Sequence, residues 1–341
     1  MRLKKLSKDV ILIQGSFAIR IAGVNTVAML IRICSRNRRL VRKWIEPIIA
    51  VFLLMSFVRV MAEATTAKPN TEKLTLLLNA NLWYMNRWNG YSVCWEVMKD
   101  LASEMGIRVV EKEDKFSEDA QMVMHLDTSS GQLAEKNLTL SLRSKMIGMG
   151  FEDKFNMNLK YSVPNADAVP SNSVTVAQGI EAEYTYEQDI AGFIDGVIGK
   201  NSQGVSLDVA IKEVPEKEFA DNTLRAYAKY YPSLAELGIP LDSQMEMIGG
   251  ARILEYVVTP GELYFGQGAK SKVQFTFWYN LENLKTVIME MSYRSPLGPD
   301  APADAASKAL KFFNALQEEY NKRQFLVPGD MKMQRFMESI D

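Results

Sequence analysis

In residues 137–145, NLTLSLRSK, Leu138, Leu140 and Leu142 alternate strictly with Thr139, Ser141, Arg143 and Lys145. A repeat of two residues puts successive side chains on opposite faces, which is the geometry of a strand and not of a helix. Residues 154–162, KFNMNLKYS, repeat it with Phe155, Met157, Leu159 and Tyr161 against Asn156, Asn158, Lys160 and Ser162. Three more segments follow the rule: IEAEYTYE (180–187), VQFTFWYN (273–280) and TVIMEMSYR (286–294), the last placing Glu290, Ser292 and Arg294 on one side.

Half-polar strands belong to antiparallel sheets with one face on a core and the other in water. The polar residues here are mostly Asn, Ser, Thr, Glu and Arg, with few long lysines, which suits an enclosed polar lumen better than an open face. The predicted fold class is therefore α+β, an antiparallel β-barrel, tunnel or strongly curved sheet with a polar interior, its apolar outside covered by helices.

Further strands are expected in KLTLLLN (73–79), IRVVEKED (107–114) and QMVMHLDT (121–128). Helical spacing appears in 91–106, with Val93, Val97, Leu101 and Met105 on one face and Gly106 as the stop. Helices are also expected over EQDIAGFIDGVIGK (187–200), over 218–238, and over 303–323 after the Pro-rich connector SPLGPDAPADAA (295–306).

The head of the chain is of another kind. Residues 1–62 hold 12 Lys and Arg against two acids, whereas residues 63–341 hold 28 against 39. A cationic stretch, Arg36 to Lys43, precedes an apolar run of about eleven residues, Pro47 to Phe57. Val60 and Ala62, or Ala62 and Ala64, then fit the small positions of a signal-peptidase site. The run is shorter than the roughly 20 residues that span a bilayer, so a cleaved signal with no stable span afterwards is expected. Met29 would make a more ordinary start for it. The organisation read from this is an extension with signal peptide over 1–62, a linker over 63–72, a domain over 73–322 and a tail over 323–341. Cys34 would leave with the signal and Cys94 alone cannot form an internal disulfide. An exported protein, periplasmic or secreted, is the expectation. The acidic excess of 63–341 argues against nucleic acid as a partner and requires any anion site to be a local cluster of cations.

The segment HLDTSSGQLAEKNLTLSLRSK (125–145), followed by KFNMNLKYS, resembles the CYTH-like superfamily of triphosphate tunnel metalloenzymes and thiamine-triphosphatase relatives. Asp127 and Thr128 stand at that family's DT step, Leu140 to Arg143 at its LxLR step, and Lys160 at its lysine step. Glu181 and Glu183 resemble its mid-chain ExE strand, Arg252 its later arginine strand, Glu290 its late acidic strand, and 303–322 its closing helix. The resemblance covers about 73–322. It implies a tunnel that binds a small anionic or phosphorylated ligand, with Arg143, Lys160, Arg252 and Arg294 as cations. It implies Glu181, Glu183 and Glu290 as ligands to Mg²⁺ or Mn²⁺, and triphosphate hydrolysis as the activity. The departure lies in the first strand, where the family carries ExExK. Here Glu72 can serve as the first acid, but Leu74 and Leu76 fill the next two places. A non-catalytic envelope protein that keeps the barrel and binds another ligand or a protein partner is the alternative.

The chemistry suits a polyphosphate, since Arg offers bidentate contacts, Lys a point charge, and a divalent ion shares oxygens with carboxylates. An ion-pair network inside the barrel would use the same residues. His125 is the only histidine, which excludes a histidine-pair metal site. GVIGKNS lacks the first glycine of a P-loop. GQGAKSK (266–272) reads as a plain loop, with contact to an anion as its other reading. The aromatics of 82–95 read as helix packing, or else as a stacking surface.

Overall fold

The structure, a computed structural model, describes residues 10–13, 16–19 and 66–328, apart from 84, 196, 197, 267, 298–300 and 303. The chain divides into two units, 1–64 and 65–341. In the first, Val10–Ile13 and Ser16–Ile19 pair as an antiparallel hairpin. The signal peptide expected before residue 62, and Cys34, lie outside the described residues.

The second unit holds the sheet. Its strands are β1 (Thr71–Leu78), β2 (Arg108–Glu111), β3 (Glu118–Thr128), β4 (Leu138–Ile147), β5 (Gly150–Phe151), β6 (Lys154–Pro164), β7 (Glu183–Asp195), β8 (Ile198–Pro215), β9 (Met245–Met247), β10 (Ile253–Tyr264), β11 (Lys270–Asn280) and β12 (Thr286–Pro296). The helices are α1 (Arg87–Glu104), α2 (Gln132–Glu135), α3 (Leu224–Ala228) and α4 (Ala305–Lys322). Nine strands close in the order β3, β10, β11, β12, β1, β7, β8, β6, β4 and back to β3, leaving β2, β5 and β9 as additions. The tunnel-like barrel that the alternation predicts is thus the fold.

One pairing differs from an antiparallel barrel. β1 and β7 run parallel, Thr71 opposite Glu187 through Leu76 opposite Gly192. About a hundred residues separate these strands in sequence, ample for the crossover that a parallel pair requires.

Directly opposed residues share a face, and the register carries one face unbroken around the ring. Lys73 lies opposite Arg294 and Asp189. Glu187 lies opposite Ser206, which is opposite Ser162. Lys160 faces Asp208 and Thr139, Arg143 faces Val123, and Glu255 faces Gln121 and Trp278. This is the lumen.

The other face is apolar. Leu74, Leu76, Phe275, Phe277, Met291 and Tyr293 are buried in one core with α1 and α4. Leu140, Met157, Leu159, Leu207 and Val209 form a second with Tyr227, Tyr231 and Leu234. Tyr231 ties that cover down by donating its hydroxyl to the carbonyls of Met157 and Val209.

Two expected helices are not continuous helices. Residues 187–195 continue β7 and 198–200 begin β8, because Ile190 and Ile194 obey period two together with the buried lumen residue Glu187. The spacing of Ile190, Phe193, Ile194 and Val197 imitates a helical stripe. Residues 218–238 break into a short 3₁₀ turn, α3 and another 3₁₀ turn, the last with Pro232 at its start.

Candidate functional site

The lumen has two parts. At one end Leu77, Val123, Ile253, Trp278 and Ile288 meet in a buried apolar cluster with Val327 packed against it. The chain after α4 secures this end. The Asn79 amide donates to the Phe325 carbonyl at 2.6 Å, the Val327 amide to the Leu77 carbonyl at 3.2 Å, and Leu326 and Pro328 form bridges to Leu78 and Ile194.

The rest of the lumen is polar and organised as ion pairs. Arg143 Nη1 meets Glu255 at 2.9 Å, and Glu255 also accepts from Gln121 Nε2 and from the indole N–H of Trp278. Lys73 Nζ lies 3.5 Å from Glu290. Arg294 Nε donates to Glu187 at 2.5 Å and its Nη1 to Gln274 at 3.2 Å. Lys160 Nζ donates to Asp189 at 3.1 Å, and Asn158 donates to Asp208 at 3.2 Å.

Three of these pairs are asymmetric. The carboxylates Glu255, Glu290 and Glu187 are 7%, 6% and 4% exposed, while Arg143, Lys73 and Arg294 are 28%, 22% and 43% exposed. In each the acid is buried more deeply than its cationic partner. Lys160 and Asp189 are equally half-buried.

The groups form a connected field. Glu290 raises the pKa of the Lys73 ammonium, burial and Arg294 oppose it, and Asp189 and Glu187 add to it. Burial pushes the Asp189 carboxyl upward, but Lys160 and Lys73 together hold it below its ordinary value. Both stay charged near neutral pH, as buried ions with partners do.

The residues singled out from sequence divide by place. Arg143, Lys160, Arg294 and Glu290 come together in the lumen. Arg252 precedes β10 and pairs with Glu282 at 2.8 Å on the exposed surface, apart from them. Glu183 begins β7, exposed and paired with Lys212 at 2.7 Å, and Glu181 lies before the strand, also exposed. The three acids expected to hold Mg²⁺ or Mn²⁺ therefore do not meet. Among the described residues no three acidic, histidine or cysteine side chains are grouped as a metal site.

The sequence reading missed Lys73, Glu187, Asp189 and Glu255. Asp189 was hidden by the helical reading of 187–200, and Glu187, read as the last polar position of the strand 180–187, was passed over for Glu181 and Glu183. Lys73 was hidden by a slip of one residue. In β1 the side chains of Glu72, Leu74 and Leu76 point outward, and Lys73 and Thr75 line the lumen. A one-residue slip exchanges the faces of a whole strand.

Glu72 is a consequence of the same register. It is buried on the outer face opposite Ser295, and its Oε2 makes no hydrogen bond among the described residues. Burial pushes its carboxyl up to about 7.

No family model matches the sequence, and no curated protein matches it. Solved structures similar to it include a proposed adenylate cyclase from Bacillus halodurans, at 14% identity and a TM-score of 0.37, covering 78% of this chain and 98% of that one. Another is a proposed adenylyl cyclase from Hippeastrum with a dominant triphosphatase activity, at 13% identity and a TM-score of 0.39, covering 78% of this chain and 95% of that one. The barrel assignment stands on the strand order of this chain itself.

Proposed function

We propose that the polar part of the barrel binds a small, multiply charged organic anion, phosphate-rich or polycarboxylate, through Lys73, Arg143, Lys160 and Arg294. The observation that carries this is the asymmetry of the ion pairs. Lys73, Arg143 and Arg294, from three different strands, are each more exposed than the carboxylate that holds them, and Lys160 on a fourth strand is as exposed as Asp189. An anion entering there gains charge-assisted hydrogen bonds from several cations at once. Export of the protein rests on the leader sequence alone, and places this binding in the periplasm or outside the cell.

Titration calorimetry with tripolyphosphate and with ATP, with and without Mg²⁺ or Mn²⁺, tests the reading. Saturable binding is expected, weakened about tenfold or more by Lys160→Ala or Arg294→Ala, as loss of a charged hydrogen bond implies. Arg252→Ala should leave it unchanged. No binding, or equal binding by all variants, overturns it. The reading includes no step through a divalent metal, because the expected acids do not meet. Phosphate release by the wild type beside a Glu181→Ala/Glu183→Ala variant tests hydrolysis separately, and release that ignores the change removes those acids from any such activity.

The pairwise balance of charge favours a second reading. Each lumen cation already has an acid partner, so the barrel is complete without a ligand and can serve as the scaffold of a non-catalytic interaction protein. Failure of every anion to bind in the same titration would select it.

A further inference from the structure

A cavity of about 960 Å³ lies outside the barrel, against the end of α1, the start of β2, the end of β10 and the first half of α4. Its size is in the range of small-molecule sites. We infer that it binds an amphipathic anion, an apolar body carrying one acidic head such as a medium-chain carboxylate.

The apolar surface comes mainly from Met105 and Ile107, since Phe265, which also lines the cavity, is 1% exposed. Gly106, at φ +67°, ends α1 so that Met105 and Ile107 flank the turn, and the Ile107 amide closes it on the Ala102 carbonyl at 2.8 Å. The polar side is cationic. Among the described residues Arg108, Lys308 and Lys311 line the cavity and no acid does, although residues 63–341 carry 39 acids against 28 cations. Arg108 is pre-oriented, its guanidinium carbon 3.8 Å from the ring centre of Tyr264. Lys308 is steadied by Asp304 at 2.5 Å, one turn earlier in α4, and Lys311 makes no ion pair among the described residues. Gly266 and Gly268, from the GQGAKSK loop, complete the rim at positive φ.

Arg108 and Lys311, with Lys308 already paired to Asp304, stand beside an apolar wall and complement one negative head with a hydrocarbon body. A free phosphate would leave the wall bare, and a neutral hydrocarbon would leave the cations unmatched. Each half of the surface therefore restricts the other.

Titration calorimetry of the full chain with decanoate, decan-1-ol and inorganic phosphate tests this. Decanoate should bind saturably, with decan-1-ol and phosphate each about tenfold weaker or undetectable. Arg108→Glu/Lys311→Glu should weaken decanoate about tenfold or more, and the milder Lys311→Ala severalfold, with unchanged thermal melting. Lys160→Ala, in the lumen, should have no effect, so the two sites fail independently. Absence of decanoate binding, equal binding of the alcohol, or indifference to both cavity variants overturns the inference. Sedimentation with phosphatidylglycerol vesicles in the absence of decanoate binding would assign the cations to a lipid surface and overturn it as well.

Discussion

The two ends of the barrel are made from the same staves and differ in one thing, what the inward positions carry. At the closed end Leu77, Val123, Ile253, Trp278 and Ile288 fill the space with hydrocarbon. A few residues along the same strands stand Thr75, Gln121, Glu255, Thr276 and Glu290, and the space there is filled by ion pairs and water-accessible cations. The outer cores do not change between the two ends. Inward residues can thus vary over the full range of polarity without altering the strand order, because the outer faces under α1, α4 and 216–241 supply the apolar burial. Stability and chemistry are assigned to opposite faces of each strand.

That division is broken most severely at Trp278, which belongs to both parts. Its ring fills the plug and its indole N–H bonds Glu255. Trp278→Ala should destabilise by about 3–5 kcal/mol in chemical denaturation, the cost of a large aromatic cavity. A loss below about 1 kcal/mol would mean that the plug is not a packed core. Glu255→Ala comes next, at about 2–3 kcal/mol, because it strands Arg143 and leaves the amide of Gln121 and the indole of Trp278 without their acceptor. Glu255→Gln should recover part of this by accepting again, and equal losses for both variants would show that charge, not hydrogen bonding, holds the group.

The barrel was legible in the sequence because alternation survives wherever one face is wholly apolar. Leu138 to Leu142 and Phe155 to Leu159 lie under a continuous cover, so their polar partners stand out. Legibility failed where one face is ambiguous. In β7 the outer positions include Gly192 between Ile190 and Ile194, since a Cβ there would come within 2.6 Å of Leu76, and the pattern lost a hydrophobic mark. In β1 the plug makes the inward Leu77 as apolar as the outward Leu76 and Leu78, so the run of leucines gave no parity. The cations of β4, β6 and β12 were visible as strand-end residues. Their acid partners were not, because pairing across the lumen depends on closure, which no local pattern encodes.

The outer face buries one carboxyl, and pH can expose it. Glu72 has its carboxyl raised from 4.5 to about 7 by burial. The folded protein therefore holds a proton that the unfolded chain releases between these values, and stability falls as pH rises across that window. Below about pH 4.5 the residue should contribute no penalty, and above about pH 7 the full one, on the order of 3 kcal/mol. Glu72→Gln should leave stability at pH 4 unchanged and raise it at pH 8, as read from denaturation midpoints at the two values. A midpoint difference that does not depend on pH would place the carboxyl in contact with water or a cation.

The smallest effects on stability distinguish the lumen from the surface most clearly. Lys160–Asp189 and Arg252–Glu282 are both partly exposed pairs, at 3.1 Å and 2.8 Å. Removing either cation should cost about 1 kcal/mol or less, since solvent screens both. Their surroundings differ. Lys160 shares the lumen field with Asp189 and Lys73, whereas among the described residues Glu282 is the charged group that acts on Arg252 on the outside. Lys160→Ala should therefore reduce affinity for a polyanion far more than it reduces stability, and Arg252→Ala should change neither by more than about 0.5 kcal/mol. Parallel calorimetry and denaturation on the two variants measures this split. If Arg252→Ala weakens anion binding as much as Lys160→Ala does, the anion meets the protein at the barrel's outer surface, and the inward cations serve only to balance the buried acids behind them.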